Sequence, residues 1–231
     1  MLEGLERIEL EELKLVKEKY DIVIKDYSKQ LVINKELEVK NDVLNEQAID
    51  FETKYSSYLK DLEKVARADP LTGIYNRRFF MELASNSLIR SERSKENCFI
   101  IMFDLDKFKL INDTYGHHIG DKVLIETTSR IKKTVRPYDF FARYGGEEFI
   151  ILLVNSQVSE IYNIVERLRM TIGDYKYKID DLELQITASF GVAATSEYNL
   201  DLGIKRADEA LYEAKETGRN KTIIYEAKRG E

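Results

Sequence analysis

From Leu13 onward, apolar and aromatic residues recur in strict steps of three and four. Positions 13, 16, 20, 23, 27, 30, 34, 37, 41, 44, 48, 51, 55, 58, 62 and 65 read Leu, Val, Tyr, Val, Tyr, Gln, Asn, Leu, Asn, Leu, Ala, Phe, Tyr, Tyr, Leu and Val. Thirteen of these sixteen are apolar or aromatic, and the residues between them are mostly charged. An uninterrupted period of 3.5 residues predicts a coiled-coil helix over residues 1–68, since a lone helix has nothing to bury such a stripe against. That stretch holds one glycine, Gly4, and no proline. The other arrangement the pattern allows is a helix packed on its own globular domain. Gln30, Asn34 and Asn41 place amides in the seam, where polar groups set register and partner number at some cost in stability. The coil therefore reads as an element with two registers rather than a plain clamp.

At Asp69-Pro70 the pattern stops, as proline requires. Beyond it, helical and strand-like runs alternate. Residues 79–93, 121–135, 159–172 and 202–218 have helical spacing, 98–106 is a buried strand, 139–154 a hairpin, 175–195 one or two strands, and 221–227 a last strand. Alternation with one clear hairpin predicts an α/β (α+β) fold: a mixed, mainly antiparallel sheet covered by helices.

Composition refines this picture. The 231 residues are 43% hydrophobic, enough for a core, and 34% charged, above the usual roughly 25%, as a long solvated helix requires. A net charge of −6 gives no sign of binding to a nucleic-acid polymer. The single cysteine, Cys98, sits in an apolar run and reads as a buried thiol in a reducing compartment. No stretch approaches the ~18 apolar residues of a membrane span, so the expected location is the cytoplasm.

The chemistry concentrates in two stretches. In 103–121, "FDLDKFKLINDTYGHHIGD", Asp104 and Asp106 end the buried strand. A period of two puts both on one face at its carboxyl end, where ligands collect in α/β proteins. Asp106 also reads as a cap for a helix starting at Lys107. Asp104 lies inside the strand, and a carboxylate there needs a cation or a donor. In "ARYGGEEFIIL", Gly145-Gly146 fits a two-residue turn at positive φ. Glu147 and Glu148, read as strand neighbours, would face opposite ways, so that one of them meets Asp104. Such hard oxygen donors suit Mg²⁺ rather than zinc.

These blocks, with "DPLTGIYNRRFF", "ITASFGVA" and "RADEALYEAKETGRN", resemble the GGDEF-domain diguanylate cyclases over residues 69–231. The signature occurs as Gly145-Gly146-Glu147-Glu148-Phe149. The resemblance implies a palm-like sheet, similar to that of adenylate cyclases and polymerases, and conversion of two GTP into cyclic di-GMP and two pyrophosphates. It also implies two Mg²⁺ per active site, with Mn²⁺ as a substitute, held by Asp104, the Leu105 carbonyl and Glu147. Glu147 corresponds to the general base and Lys109 to a lysine that neutralises phosphate charge. Asn112 and Asp121 correspond to the guanine readers; helix capping is the alternative, which Asp121 before "KVLIE" fits well, and both hold if the caps line the pocket. Gly146 clears room for a phosphate. Lys215 and Arg219 correspond to phosphate contacts, while basic residues in a last helical turn are also expected from the helix dipole. His117 matches the family's glycine-histidine pair and carries no catalytic role here.

Arg136 and Asp139 form an R-x-x-D with five residues between its Asp and Gly145. That offset resembles the family's product-binding inhibitory site, to which Arg167 adds a second arginine. The alternative is a surface ion pair. Because each domain holds one GTP and the reaction joins two, the resemblance implies a homodimer through a parallel coiled coil. The family commonly carries a sensory domain upstream of such a helix. The competing function is a catalytically weak module that binds GTP or cyclic di-GMP for signalling.

Overall fold

The structure is a computed structural model that describes residues 2–195 and 198–226. The chain divides into two compact units, with the break between Asp61 and Leu62. Helix α1 (Leu2–Arg67) is continuous, since neither proline nor an internal glycine interrupts it beyond Gly4. Within the single chain its seam stands in water, with Leu13, Val23, Tyr27, Leu37 and Phe51 all more than half exposed. The side chain of Val65, the last seam position, lies outside the described residues, as does Ala227 at the end of the predicted last strand.

The second unit is built on a six-stranded sheet in the order β1-β3-β4-β2-β7-β8. The strands are β1 (Tyr75–Asn76), β2 (Phe99–Leu105), β3 (Phe140–Gly145), β4 (Glu148–Leu153), β7 (Ala188–Ala194) and β8 (Thr222–Ile224). The four central strands pair antiparallel, whereas β1 on β3 and β8 on β7 are parallel. A separate hairpin joins β5 (Tyr177–Ile179) to β6 (Leu182–Leu184). Residues 175–195 thus supply three strands, not one or two, because the Asp180-Asp181 turn folds the first half back on itself.

Helices cover both faces. One core cluster joins Phe103, Phe149 and Phe190 of the sheet to α4 (His117–Thr134) and α5 (Ile161–Gly173). The other joins Ile100, Met102 and Ile150 to α2 (Arg77–Ser94) and α6 (Leu200–Glu216). A short helix, α3 (Phe108–Tyr115), connects β2 to α4. Helix α6 reaches the sheet so closely because β7 carries Gly191, where a Cβ would run into the Ala207 carbonyl and the Leu211 amide. Among the described residues, no helix is long and apolar enough to cross a membrane. Cys98 is buried and unpaired.

Phe103 fixes the register on which the site depends. It lies directly across from Phe149 on one side and Phe190 on the other, with ring centroids 5.0 and 4.8 Å away. One residue further along, the same register aligns Glu148, Asp104 and Ser189 on the opposite face. A slip by one residue would exchange aromatics for carboxylates in the core. Phe103→Ala is expected to cost about 3–5 kcal/mol of folding stability, measured by urea denaturation, and a loss below about 1 kcal/mol would contradict this role.

Candidate active site at the end of strand β2

Four segments meet where β2 ends: the β3–β4 tip, the start of α3, the end of α6 and the loop that follows it. Asp104 is only 8% exposed and shares its sheet face with Ile100 and Met102. Lys215, in the last turn of α6, reaches it with Nζ 2.9 Å from Asp104 Oδ2. Burial pushes the Asp104 carboxyl up to about 6. Lys215 opposes that rise, while the neighbouring charges of Glu147 and Glu148 add to it. The carboxylate that the sequence left in need of a cation has found one within the chain.

The hairpin tip differs from the expected turn. Gly145 still belongs to β3 and pairs with Glu148, and the two tip residues are Gly146 and Glu147. A register shift between Arg143 and Gly145 sets Tyr144 out of the ladder and moves the tip by one position. Neither Gly145 nor Gly146 adopts a positive φ. Glu147 is therefore not a strand residue, and the expected alternation of the two glutamates does not apply. Glu148 lies directly across from Asp104, whereas Glu147 sits in the turn with its carbonyl accepting from Leu105 N at 3.4 Å. Arg143 braces the tip, donating from Nε to the Gly146 carbonyl at 2.9 Å and from Nη1 to Asp69 at 3.2 Å.

Asp106 is not a helix cap. The cap position of α3 is Lys107, at φ 57, without a side-chain cap. Asp106 instead accepts from Thr187 Oγ1 and Ser189 Oγ, both at 2.7 Å, and from the Asn220 amide at 3.0 Å. Nothing local in the sequence announced this, since the partners lie 81 to 114 residues away.

Asn112 and Asp121 lie on the two helices of the α3–α4 corner. Helix α4 begins at His117 rather than at Asp121, so Asp121 is an exposed residue of its second turn and not its cap. Asn112 Oδ1 is buried and finds no hydrogen-bond partner. It packs into the space that a Cβ on Gly120 would occupy. Asp121 is adjacent in sequence to Gly120, on which Asn112 rests. Lys109 is exposed on the first turn of α3, Arg219 is exposed in the loop after α6, and Gly146 is exposed at the tip.

The donor chemistry fits a hard divalent cation, because Asp104, Glu148 and Glu147 supply carboxylates without histidine or cysteine. Among the described residues, no three acidic, His or Cys side chains form a ready-made cage.

Arg136 and Asp139 occur far from this centre, at the start of β3, where both line a cavity of about 390 Å³ with Gly73, Tyr75 and Lys132. Asp139 is buried, which raises its carboxyl above the usual range, and its Oδ1 accepts from the Val154 amide at 3.1 Å. One oxygen of this acid thus holds the fold. Arg167 does not line that cavity. It borders a narrow gap of about 10 Å³ together with Arg136, Asp139 and Ser156.

Residues 66–221 match the family described as the diguanylate cyclase GGDEF domain. The chain belongs to that family. Protein YhcK of Bacillus subtilis, described as uncharacterized, is 39% identical over 197 residues, covering 83% of this chain and 55% of the relative. Diguanylate cyclase A of Treponema denticola is 39% identical over 171 residues, covering 71% and 45%. The chain thus spans about half the length of these curated relatives. The coiled coil and GGDEF domain of DgcB from Caulobacter crescentus, solved with c-di-GMP, superposes with a TM-score of 0.73 at 28% identity, covering 78% of this chain and 96% of that one.

In this GGDEF domain, sequence reasoning missed Glu148 as the cross-strand neighbour of Asp104 and missed Gly120 as the seat of Asn112. The glycine in "HHIGD" was the available signal for the second. Gly120→Ala is expected to destabilise the domain by about 1–3 kcal/mol through overpacking, partly offset by the helix propensity of alanine. Adding Asn112→Ala should restore most of the loss, and strict additivity in urea denaturation would refute the contact.

Proposed function

We propose that residues 69–231 form a diguanylate cyclase domain that condenses two GTP into cyclic di-GMP and two pyrophosphates, and that residues 1–68 bring two copies together as a parallel coiled coil. The observation that carries this reading is the convergence, at one end of β2, of Asp104, the GGEEF tip and Lys215 in a member of this family.

In each of two identical steps, the 3′-hydroxyl of one GTP attacks the α-phosphorus of the other. A P–O bond forms, the bond to pyrophosphate breaks, and the hydroxyl proton passes to a base. Glu147, in the turn, is the assigned base. Asn112 and Asp121 read guanine: a carboxylate accepts from its N1–H and exocyclic amine, a pattern that adenine does not offer. Gly146 leaves the tip bare for a phosphate, while Lys109, Lys215 and Arg219 neutralise phosphate charge. Asp104, the Leu105 carbonyl and Glu147 would hold two Mg²⁺, or Mn²⁺ in their place. Bound there, the ions would favour ionisation of the attacking hydroxyl and neutralise charge at the α-phosphate.

Two half-sites must face each other for the reaction, and correct placement supplies several kcal/mol of the barrier. The seam of α1, exposed among its described residues, supports such pairing, since a stripe of this kind is what a partner helix buries. A GTP-dependent reaction and a lone buried thiol fit the cytoplasm. An upstream sensory domain is compatible with a chain that spans about half of its curated relatives.

Incubating the full chain with GTP and Mg²⁺, followed by nucleotide chromatography, tests the reading directly. Cyclic di-GMP is expected, and Glu147→Gln should lower its rate of formation by about 10²–10⁴-fold. GTP recovered bound and intact would instead make the chain a binding module, and a loss confined to Glu148→Gln would move the base to the strand residue.

Arg136, Asp139 and Arg167 make the proposed product-inhibition site. The informative substitution is Arg136→Ala, because Asp139 also supports the Val154 amide. Since a good arginine–guanine pair is worth about 1–3 kcal/mol, half-inhibition by cyclic di-GMP should need roughly tenfold more product, and an unchanged inhibition curve would remove the assignment.

A further inference from the structure

The Asp104–Lys215 pair has a consequence that neither residue's assigned role contains. A lysine in the last turn of a helix is satisfied by the helix's own carbonyls and dipole, as the sequence allowed. Lys215 does something different: at 28% side-chain exposure it leans onto a carboxylate on the central strand, 2.9 Å away. Around that carboxylate stand two more acids, Glu148 directly across the ladder and Glu147 in the turn. Lys107 and Lys109, the nearest cations in sequence, are both exposed. The acidic end of β2 is therefore held together by an ammonium group tethered to α6.

We infer that Lys215 is a resident counter-ion that occupies Asp104 until a divalent cation and a nucleotide arrive together. This rests on the reading that these acids hold a divalent ion. A divalent cation and an ammonium held on the same carboxylate repel each other at close range, so loading the ion drives Lys215 away from Asp104 Oδ2. Released into a site without nucleotide, the ammonium has lost its partner and gained a neighbouring dication. Released beside a triphosphate, it gains an anion of greater charge than the one it left. One side chain thus penalises the ion alone and rewards the ion with substrate. The coupling is reciprocal, so nucleotide binding is tightened by the ion by the same factor.

The test is binding of Mn²⁺ to the full-length chain, followed by electron paramagnetic resonance, with and without a GTP analogue carrying a methylene bridge between its α- and β-phosphorus atoms. Lys215→Met removes the charge at nearly constant length, and Lys215→Arg retains it. In the absence of nucleotide, Lys215→Met is expected to bind Mn²⁺ about fivefold or more tightly than the wild type, the low end of ordinary coupling factors. The analogue should then tighten Mn²⁺ less in this variant than in the wild type, while Lys215→Arg should behave as the wild type does. Mn²⁺ affinity in Lys215→Met that is equal to or weaker than the wild type overturns the inference alone, provided the wild type loads normally with the analogue. A gain in Lys215→Arg as large as in Lys215→Met also overturns it, because side-chain shape and not charge would then be responsible. Absence of Mn²⁺ binding in every variant, with or without the analogue, removes the divalent-cation reading and this inference with it.

Discussion

A strand buried along all seven of its residues ends in carboxylates, and the domain is arranged around that constraint. Taking a carboxylate out of water is costly unless donors or a cation replace the lost hydration. Asp104 and Asp106, each 8% exposed, are compensated by different means. Asp106 collects two hydroxyls from the start of β7 and one backbone amide from the loop after α6. That amide belongs to Asn220, which follows Arg219 in a left-handed stretch, with φ of 63 and 46 for the two residues. Non-glycine residues hold such conformations only where surrounding contacts over-determine them. Here Asp106 takes the Asn220 amide, and Arg169 donates to the Asn220 side chain at 2.7 Å. The acid at the end of the central strand thereby fixes where Arg219 leaves the fold.

The two acids thus divide the work between rigidity and exchange. Asp106 is engaged with three neutral donors, and it acts as a joint. Asp104 is engaged with a single flexible ammonium, the contact that the proposed divalent ion would displace. Both depend on the register of β2, and the aromatic row one residue earlier is what prevents that register from sliding. Core packing and site chemistry are consecutive rows of the same ladder.

Features carried by periodicity or by a local punctuation mark were legible in the residues. These include the long helix and its end near Pro70, the buried run of β2, the hairpin, and the need of Asp104 for a cation. Features that depend on distant partners were not. Asp106 reads locally as a cap because an acid before a helical run ordinarily is one, and partners more than eighty residues later, at Thr187, Ser189 and Asn220, draw it elsewhere. The alternation that set Glu147 and Glu148 on opposite faces assumed a regular strand through the glycines, and the bulge at Tyr144 shifted the tip by one residue. The strand β1 consists of two residues, too short for any period to register.

The glycines of the tip now separate by physical role. Left-handed backbone explains neither, since neither φ is positive. At Gly145 a Cβ would come within 3.2 Å of Glu148 Oε2, tight enough to disturb the carboxylate that faces Asp104. Its absence protects the geometry of the acids. At Gly146 a Cβ would meet nothing within 4 Å, so the fold itself tolerates a side chain there. Arg143 already holds the Gly146 carbonyl, so the tip is stationary without help from that position. A bare backbone at a tip held in this way is compatible with the role proposed for Gly146, in which a phosphate that comes from solvent lies against the chain.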